Sequence, residues 1–382
     1  VYKRQEKDLK KSLDGQLWPQ LMSKAGYDTY FTGKWHVKAD ANHVFGTARN
    51  VRGGMPNQTP EGYNRPLSDG TDPWDPTDPK FEGFWKGGKH WSEVVADDTT
   101  DFLDSAAKSD NPFFMYIAFN APHDPRQAPK EFVDMYPADK IEMPASFLPE
   151  HPDMDAMGCG KKLRDERLAP FPRSSHAIQV NRREYYAIIT HMDTQIGRIL
   201  DHLEKTGQDE NTYIFFTADH GLSVGHHGLL GKQNLYDHSV RVPFIAAGPG
   251  IKAGAKNSSP IYFQDVMATS LELADAERPD HVQFHSLLPM LKDGKGGGLD
   301  AVYGAYVDFQ RMAVAGGHKL LLFPKIKKAM LFDLKADPEE IEDISDTPGA
   351  QTKMKSLFGK LIEMQQEAGD PLDLKSIYPD LL

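Results

Sequence analysis

Apolar residues along this chain keep two rhythms, one helical and one of short unbroken runs. Within residues 6–25, Leu9, Leu13, Leu17, Leu21 and Met22 recur at helical spacing, and Gly26 supplies a C-terminal stop. Residues 94–103 and 265–273 carry the same period. The clearest helix spans 181–205, where Tyr185, Ile188, Ile189, Met192, Ile196, Ile199, Leu200 and Leu203 share one face. Between these stretches lie runs of a different kind at 29–32, 112–119, 213–216 and 242–247. The run Phe113, Phe114, Met115, Tyr116, Ile117, Ala118 has no polar alternation, which suits a strand covered on both faces in a parallel sheet.

Strands alternating with helices predict an α/β fold, with a mostly parallel central sheet flanked by helices. In such sheets ligands gather beyond the carboxyl ends of the strands. The character changes near residue 298. Runs at 302–307, 311–314 and 319–323 read as strands of a small antiparallel sheet, closed by a helix over 351–367. Two units follow, a catalytic domain over 6–293 and a C-terminal α+β subdomain over 298–382, with a Gly-rich link at 294–298. Residues 40–92 and 124–178 read as long irregular excursions. The first carries Trp85, His90 and Trp91, candidates for stacking on a sugar ring.

Composition narrows the partners. The net charge of −11 over 382 residues argues against a general nucleic-acid binder but allows a local basic pocket. No apolar run reaches the roughly 18 residues of a transmembrane helix. A single cysteine, Cys159, excludes an internal disulfide. Val1-Tyr2-Lys3-Arg4-Gln5 reads as the translation of a sequencing adaptor, which places the expected start of the gene fragment at Glu6.

Chemistry-bearing residues sit at the strand ends. Asp219 and His220 follow an apolar run and offer one oxygen and one imidazole ligand to a divalent metal. Such a pair suits Ca²⁺ or Mg²⁺, and the imidazole also tolerates Mn²⁺. The competing reading is an Asp-capped turn beside a surface His. Lys34 and His36 lie two apart past a strand, so in extended chain both face one anion. His123 stands between Pro122 and Asp124-Pro125 and is a candidate general acid for a leaving oxygen. Lys232 lies in a Gly-flanked loop. His227, His238 and Arg241 are candidate substrate contacts, with structural hydrogen bonding as the alternative.

Taken together, Gly33-Lys34-Trp35-His36, Ala121-Pro122-His123-Asp124-Pro125 and the stretch from Phe216-Thr217-Ala218-Asp219-His220-Gly221 to Val242-Pro243 resemble the sulfatase family, a branch of the alkaline-phosphatase-like metallohydrolases. The Asp-His pair, where most members have Asn second, resembles the iduronate- and choline-sulfatase branch. The resemblance implies sulfate contacts from Lys34, His123 and Lys232, catalytic roles for His36 and His123, and metal ligation by Asp219 and His220. It implies a formylglycine nucleophile made by a maturation enzyme from a Cys or Ser in a Cys/Ser-x-Pro/Ala-x-Arg motif. No such motif occurs in this sequence. Nor does the family's Asp-Asp metal pair. Both are expected upstream of residue 1, leaving this chain inactive alone and its sheet one strand short. The expected substrate is a sulfated carbohydrate or small alcohol sulfate, and the expected location periplasmic or secreted. Phosphoester or phosphonate hydrolysis and non-catalytic binding of sulfated glycans are the alternatives.

Overall fold

The computed structural model describes residues 13–54, 56–294 and 298–382. The helix expected over 6–25 is observed only as α1 (Trp18–Lys24), and its expected first turns lie partly outside the described residues. The expected link at 294–298 also lies mostly outside them.

Three strands form a parallel sheet: β1 (Asp28–Lys34), β2 (Thr47–Arg52) and β3 (Phe113–Ala118), in the order β2-β1-β3. β2 was not foreseen. Its sequence, Thr47-Ala48-Arg49-Asn50-Val51-Arg52, is polar because the strand lies at the sheet edge, where only one side is covered. β2 carries one extra residue, Asn50, opposite the Thr32–Gly33 step, and Asn50 takes a positive φ of 43°. At Gly33 no side chain fits: a Cβ there would lie 1.9 Å from the Ala118 carbonyl oxygen.

The strands expected from 213–216 and 242–247 are β4 (Ile214–Thr217) and β5 (Phe244–Ala247). They pair antiparallel with each other and form a separate two-stranded ribbon, not a continuation of the parallel sheet. Among the described residues, β3 and β4 therefore each leave one edge unpaired. Trp18 ties the parallel sheet to a helix on one side. Its ring packs on Phe114 and Tyr116, at 5.0 and 5.8 Å, while its indole N–H donates to Ser270 at 2.7 Å. Ser270 belongs to α4 (Asp265–Leu273), in register with the sequence expectation.

One long helix covers the parallel sheet's other side, and a second packs on that helix. α2 (Trp91–Ala106) packs on all three strands and on α3 (Ser175–Lys205), the 31-residue helix of which the sequence analysis placed the last four-fifths. The segment 40–92 is not a free excursion. Arg65 is buried and paired with Glu184 of α3 at 2.6 Å and with Asp72 at 2.5 Å, which pins the segment to the helix layer.

The C-terminal sheet runs in simple order: β6 (Val302–Tyr306), β7 (Gln310–Ala315), β8 (His318–Phe323) and β9 (Lys328–Asp333), all antiparallel. Alternate residues face opposite sides. Ala313, Leu320, Leu322 and Leu331 meet α5 (Ala350–Glu367) through Leu357, Phe358 and Leu361. Met312, Leu321, Phe323 and Phe332 instead pack against Met154, Met157, Leu229, Leu235 and Tyr236 of the first unit. Lys319, fully buried on β8, adds ion pairs to Asp237 at 2.5 Å and Glu340 at 2.6 Å.

A core shared in this way couples the two units. Thermal unfolding is expected as one transition, and Leu321→Ala should cost about 2–5 kcal/mol across that single transition. Calorimetry showing two transitions, with only one moved by Leu321→Ala, would contradict this.

Candidate active site

Segments distant in sequence meet beyond the C-terminal ends of β1, β3 and β4. Lys34, the last residue of β1, donates from Nζ to Asp219 Oδ2 at 3.0 Å. Asp219 lies just past β4. His123 follows β3, and its Nε2 stands 2.7 Å from Lys232 Nζ, 109 positions away.

His123 and Asp124 are almost fully buried. The His123 Nδ1 faces the Asp124 carboxylate at 2.8 Å and the Asp124 carbonyl at 3.0 Å. Two acceptors there place the proton on Nδ1, so Nε2 accepts from the Lys232 ammonium. Burial alone would raise the Asp124 pKa. His123, Arg164 and Arg126 outweigh it and hold the carboxyl well below the usual range. Arg164 donates to Asp124 at 2.6 Å and pairs with Asp165 at 2.5 Å. Asp165 in turn lies 3.7 Å from Lys232.

Lys232 is placed by its neighbours in the chain. Glu166, buried, accepts from the amides of Leu230 at 3.0 Å and Gly231 at 2.8 Å, and Arg173 donates to it at 2.8 Å. The loop is therefore fixed by an internal carboxylate before Lys232 projects from it. Burial lowers the Lys232 pKa, while Asp165 and Asp124 oppose that shift.

Asp219 and His220 have the chemistry of two ligands of a divalent metal. The His220 Nδ1 is 2.9 Å from the Gly221 carbonyl, which sets the tautomer and leaves Nε2 bare for a metal. Burial favours protonating Asp219, but His220, Lys34 and Lys232 hold its pKa down, so it remains a carboxylate. Burial also lowers His220, keeping the imidazole neutral as ligation requires. No cluster of three or more His, Cys, Asp or Glu ligands forms among the described residues, so these two fit part of a coordination shell.

Other expected residues fall elsewhere. His36 is exposed and has no hydrogen bond or ion pair among the described residues; its ring lies against Gly54, not beside Asp219 with Lys34. His227 stacks on Tyr236 with centroids 4.0 Å apart and lies 3.0 Å from the Glu339 carbonyl. His238 lies 2.8 Å from Ser223 Oγ and stacks on His226. Arg241 is exposed beside Asp237. Of these three, among the described residues, only His227 reaches the C-terminal segment, at Glu339; the contacts of His238 are with Ser223 and neighbouring rings, and that of Arg241 is with Asp237. His90 is likewise core: it stacks on Phe84, caps α2 through Ser92 and contacts the Gln127 carbonyl at 3.0 Å. Trp91 is buried too, so neither offers a free sugar platform. The sequence analysis gave no role to Asp124, Arg164, Asp165 or Glu166. The available signal was a dense charge run, Arg164-Asp165-Glu166-Arg167, between Leu163 and Leu168.

Residues 10–276 match the profile of the sulfatase family, and residues 225–367 match that of the N-sulphoglucosamine sulphohydrolase C-terminal region. The chain belongs to the sulfatase family. Its sulfatase relatives include an arylsulfatase of Clostridium perfringens, 28% identical over 89% of this chain and 76% of the relative. An N-acetylglucosamine-6-O-sulfatase of Bacteroides thetaiotaomicron is 27% identical, covering 94% of this chain and 73% of its own. The fold resembles that of a protein solved with its substrate D-glucosamine-2-N,6-O-disulfate, at TM-score 0.73 and 24% identity, covering 94% of this chain and 83% of that one. It also resembles a phosphonate monoester hydrolase from Silicibacter pomeroyi, at TM-score 0.72 and 21% identity over 93% and 80%.

Cys159 of this sulfatase chain is buried and 2.8 Å from the Gln233 carbonyl, and burial pushes its thiol pKa far up. It is packing material, not a nucleophile.

Two predictions follow from the charges. Glu166→Gln leaves Arg173 without its buried counter-charge and should cost about 3–5 kcal/mol in urea unfolding; a cost below 1 kcal/mol would refute its positioning role. Burial, with His151 and His226 adding, pulls His227 from 6.5 to about 3. Its neutral form is favoured in the folded state, so the unfolded chain binds more protons between those values. That stability is complete above pH 6.5 and is lost as pH falls toward 3. His227→Gln should flatten the fall in melting temperature just below pH 6.5, above the carboxylate range. An unchanged slope would contradict it.

Proposed function

We propose that the intact protein hydrolyses the sulfate ester of a sulfated carbohydrate or small alcohol sulfate by the formylglycine route. In this reading the described residues supply the anion pocket and the general acid, and the nucleophile comes from a segment outside residues 1–382. The observation that carries the reading is the convergence of Lys34, Lys232 and His123 with Asp219 at one rim.

Each side chain then has a task. The ammonium groups of Lys34 and Lys232 bind sulfate oxygens and neutralise the charge that grows on them. Lys232 turns from His123 toward the sulfate, which frees Nε2. Asp124 keeps the His123 ring in place through Nδ1, and the freed Nε2 takes up a proton from solvent and delivers it to the departing alcohol oxygen. Asp219 and His220 would hold a divalent cation, with Ca²⁺, Mg²⁺ and Mn²⁺ as the candidates. When bound, it supplies further positive charge against the sulfate oxygens. His36 is left as a flanking group on the Gly54 side. The maturation enzyme and export to the periplasm or medium belong to the same proposal.

The first experiment is to read the source DNA upstream of Glu6. An in-frame Asp-Asp pair followed by Cys/Ser-x-Pro/Ala-x-Arg is expected. An intact frame with neither would overturn the proposal and favour a sulfated-glycan binder. In the extended, matured protein, His123→Ala should reduce kcat about 10²–10⁴-fold on sulfated sugars. The loss should be much smaller on 4-nitrophenyl sulfate, whose leaving group needs no proton. Equal losses on both would reject the acid role. Faster turnover of a phosphonate monoester than of any sulfate ester would move the assignment to phosphonate hydrolysis.

A further inference from the structure

An open cleft of about 430 Å³ lies beside the rim, lined by Arg52, Gly54, Asn57, Lys86 and Trp91 among others. Arg52 is the last residue of β2 and sits in register with Lys34 on β1. Adjacent strands stand about 4.8 Å apart, so the cleft begins one strand away from the sulfate-binding lysine. Trp35 donates its amide to the Arg52 carbonyl at 2.8 Å, which fixes that spacing.

The Arg52 guanidinium has no acidic partner within ion-pair distance among the described residues. Its Cζ lies over the Trp91 ring, 3.8 Å from the centroid. Its Nε is buried and makes no hydrogen bond. The acid that acts on it electrostatically, Asp98, already accepts from Thr32 at 2.6 Å and from Asn50 at 2.8 and 3.0 Å. Lys86 adds a second cation to the lining, and its carbonyl accepts from the Trp91 indole at 3.2 Å. Unpaired guanidinium donors in a partly desolvated cleft are matched by an oxyanion. One wall of the cleft is hydrogen-bonded to the segment that carries His123. The ring of His36 borders Gly54, and the Gly54 carbonyl accepts from Asn120 at 2.7 Å, just before the His123 turn.

We propose that this cleft is a subsite for a second anionic group, a sulfate or carboxylate, carried by the same sugar whose sulfate ester is held by Lys34 and Lys232. The substrate class is thereby narrowed to polyanionic carbohydrate. Arg52 makes the forked contact, Lys86 closes over the anion, and Trp91 holds Arg52 in position. The inference rests on the sulfatase reading of the neighbouring pocket.

Calorimetric titration of the chain tests it with two matched pairs of probes. One pair is N-acetylglucosamine 6-sulfate against glucosamine N,6-disulfate. The other is glucose 2-sulfate against glucuronate 2-sulfate. The second anion should tighten binding about tenfold in at least one pair, and the pair that responds identifies sulfate or carboxylate as the group recognised. Arg52→Gln should abolish that gain while leaving the singly charged sugars unchanged. Lys86→Ala, at an exposed position, should reduce it without touching the fold. No gain in either pair, or Arg52→Gln and Lys86→Ala weakening singly and doubly charged sugars alike, overturns the subsite. Failure of even the singly charged sugars to bind overturns the sulfate-pocket reading, and the subsite with it.

Discussion

The close approach of β1 and β3 at Gly33 is the constraint on which the site depends. With the Ala118 carbonyl where a Cβ would be, only glycine closes the pair at that register. The extra residue at Asn50 adjusts the other side of β1 at the same step. One residue later Lys34 leaves the sheet aimed at Asp219. A side chain at position 33 would push β1 from β3 and carry Lys34 away from the strand ends that present His123 and Asp219. Close backbone packing, not any attraction between the charged groups, puts them within reach of each other.

Around that rim the cations are arranged unequally, and the inequality explains what each can do. Arg164 and Arg173 are spent on Asp124, Asp165 and Glu166, where they fix loops. Lys232 is half committed: its contact is the neutral face of His123, and Asp165 lies at a longer distance. A cation held by a neutral acceptor gives that contact up to an anion at little cost, whereas one locked to a carboxylate does not. Arg52, resting on Trp91 with no acidic partner at ion-pair distance among the described residues, is another cation left available near this rim.

The histidines divide along the same line. His90, His151, His191 and His227 are buried and held neutral, and they work as flat polar rings that pack and cap. His123 is as deeply placed, but a carboxylate on Nδ1 and an ammonium on Nε2 give its two nitrogens different jobs. Burial does not set His123 apart from those four rings; the charge on its partners does.

By itself the sequence determined the long helix, the apolar strands β3 and β4 and the antiparallel C-terminal sheet, and it singled out Lys34, His123, Asp219, His220 and Lys232 as candidates. Those signals are local: apolar periodicity and short motifs at strand ends survive without knowledge of the partner segment. Tertiary structure alone decided the rest. The polar edge strand β2 has no apolar signature of its own. The antiparallel pairing of β4 with β5 depends on which strands meet, not on either sequence. His90 and Trp91 are core because Phe84, Gln127 and Arg52 surround them, although their segment reads as a polar loop. Asp124, Arg164 and Asp165 matter because they are buried together, and burial is what turns ordinary surface charges into a network that holds a histidine and a lysine in place.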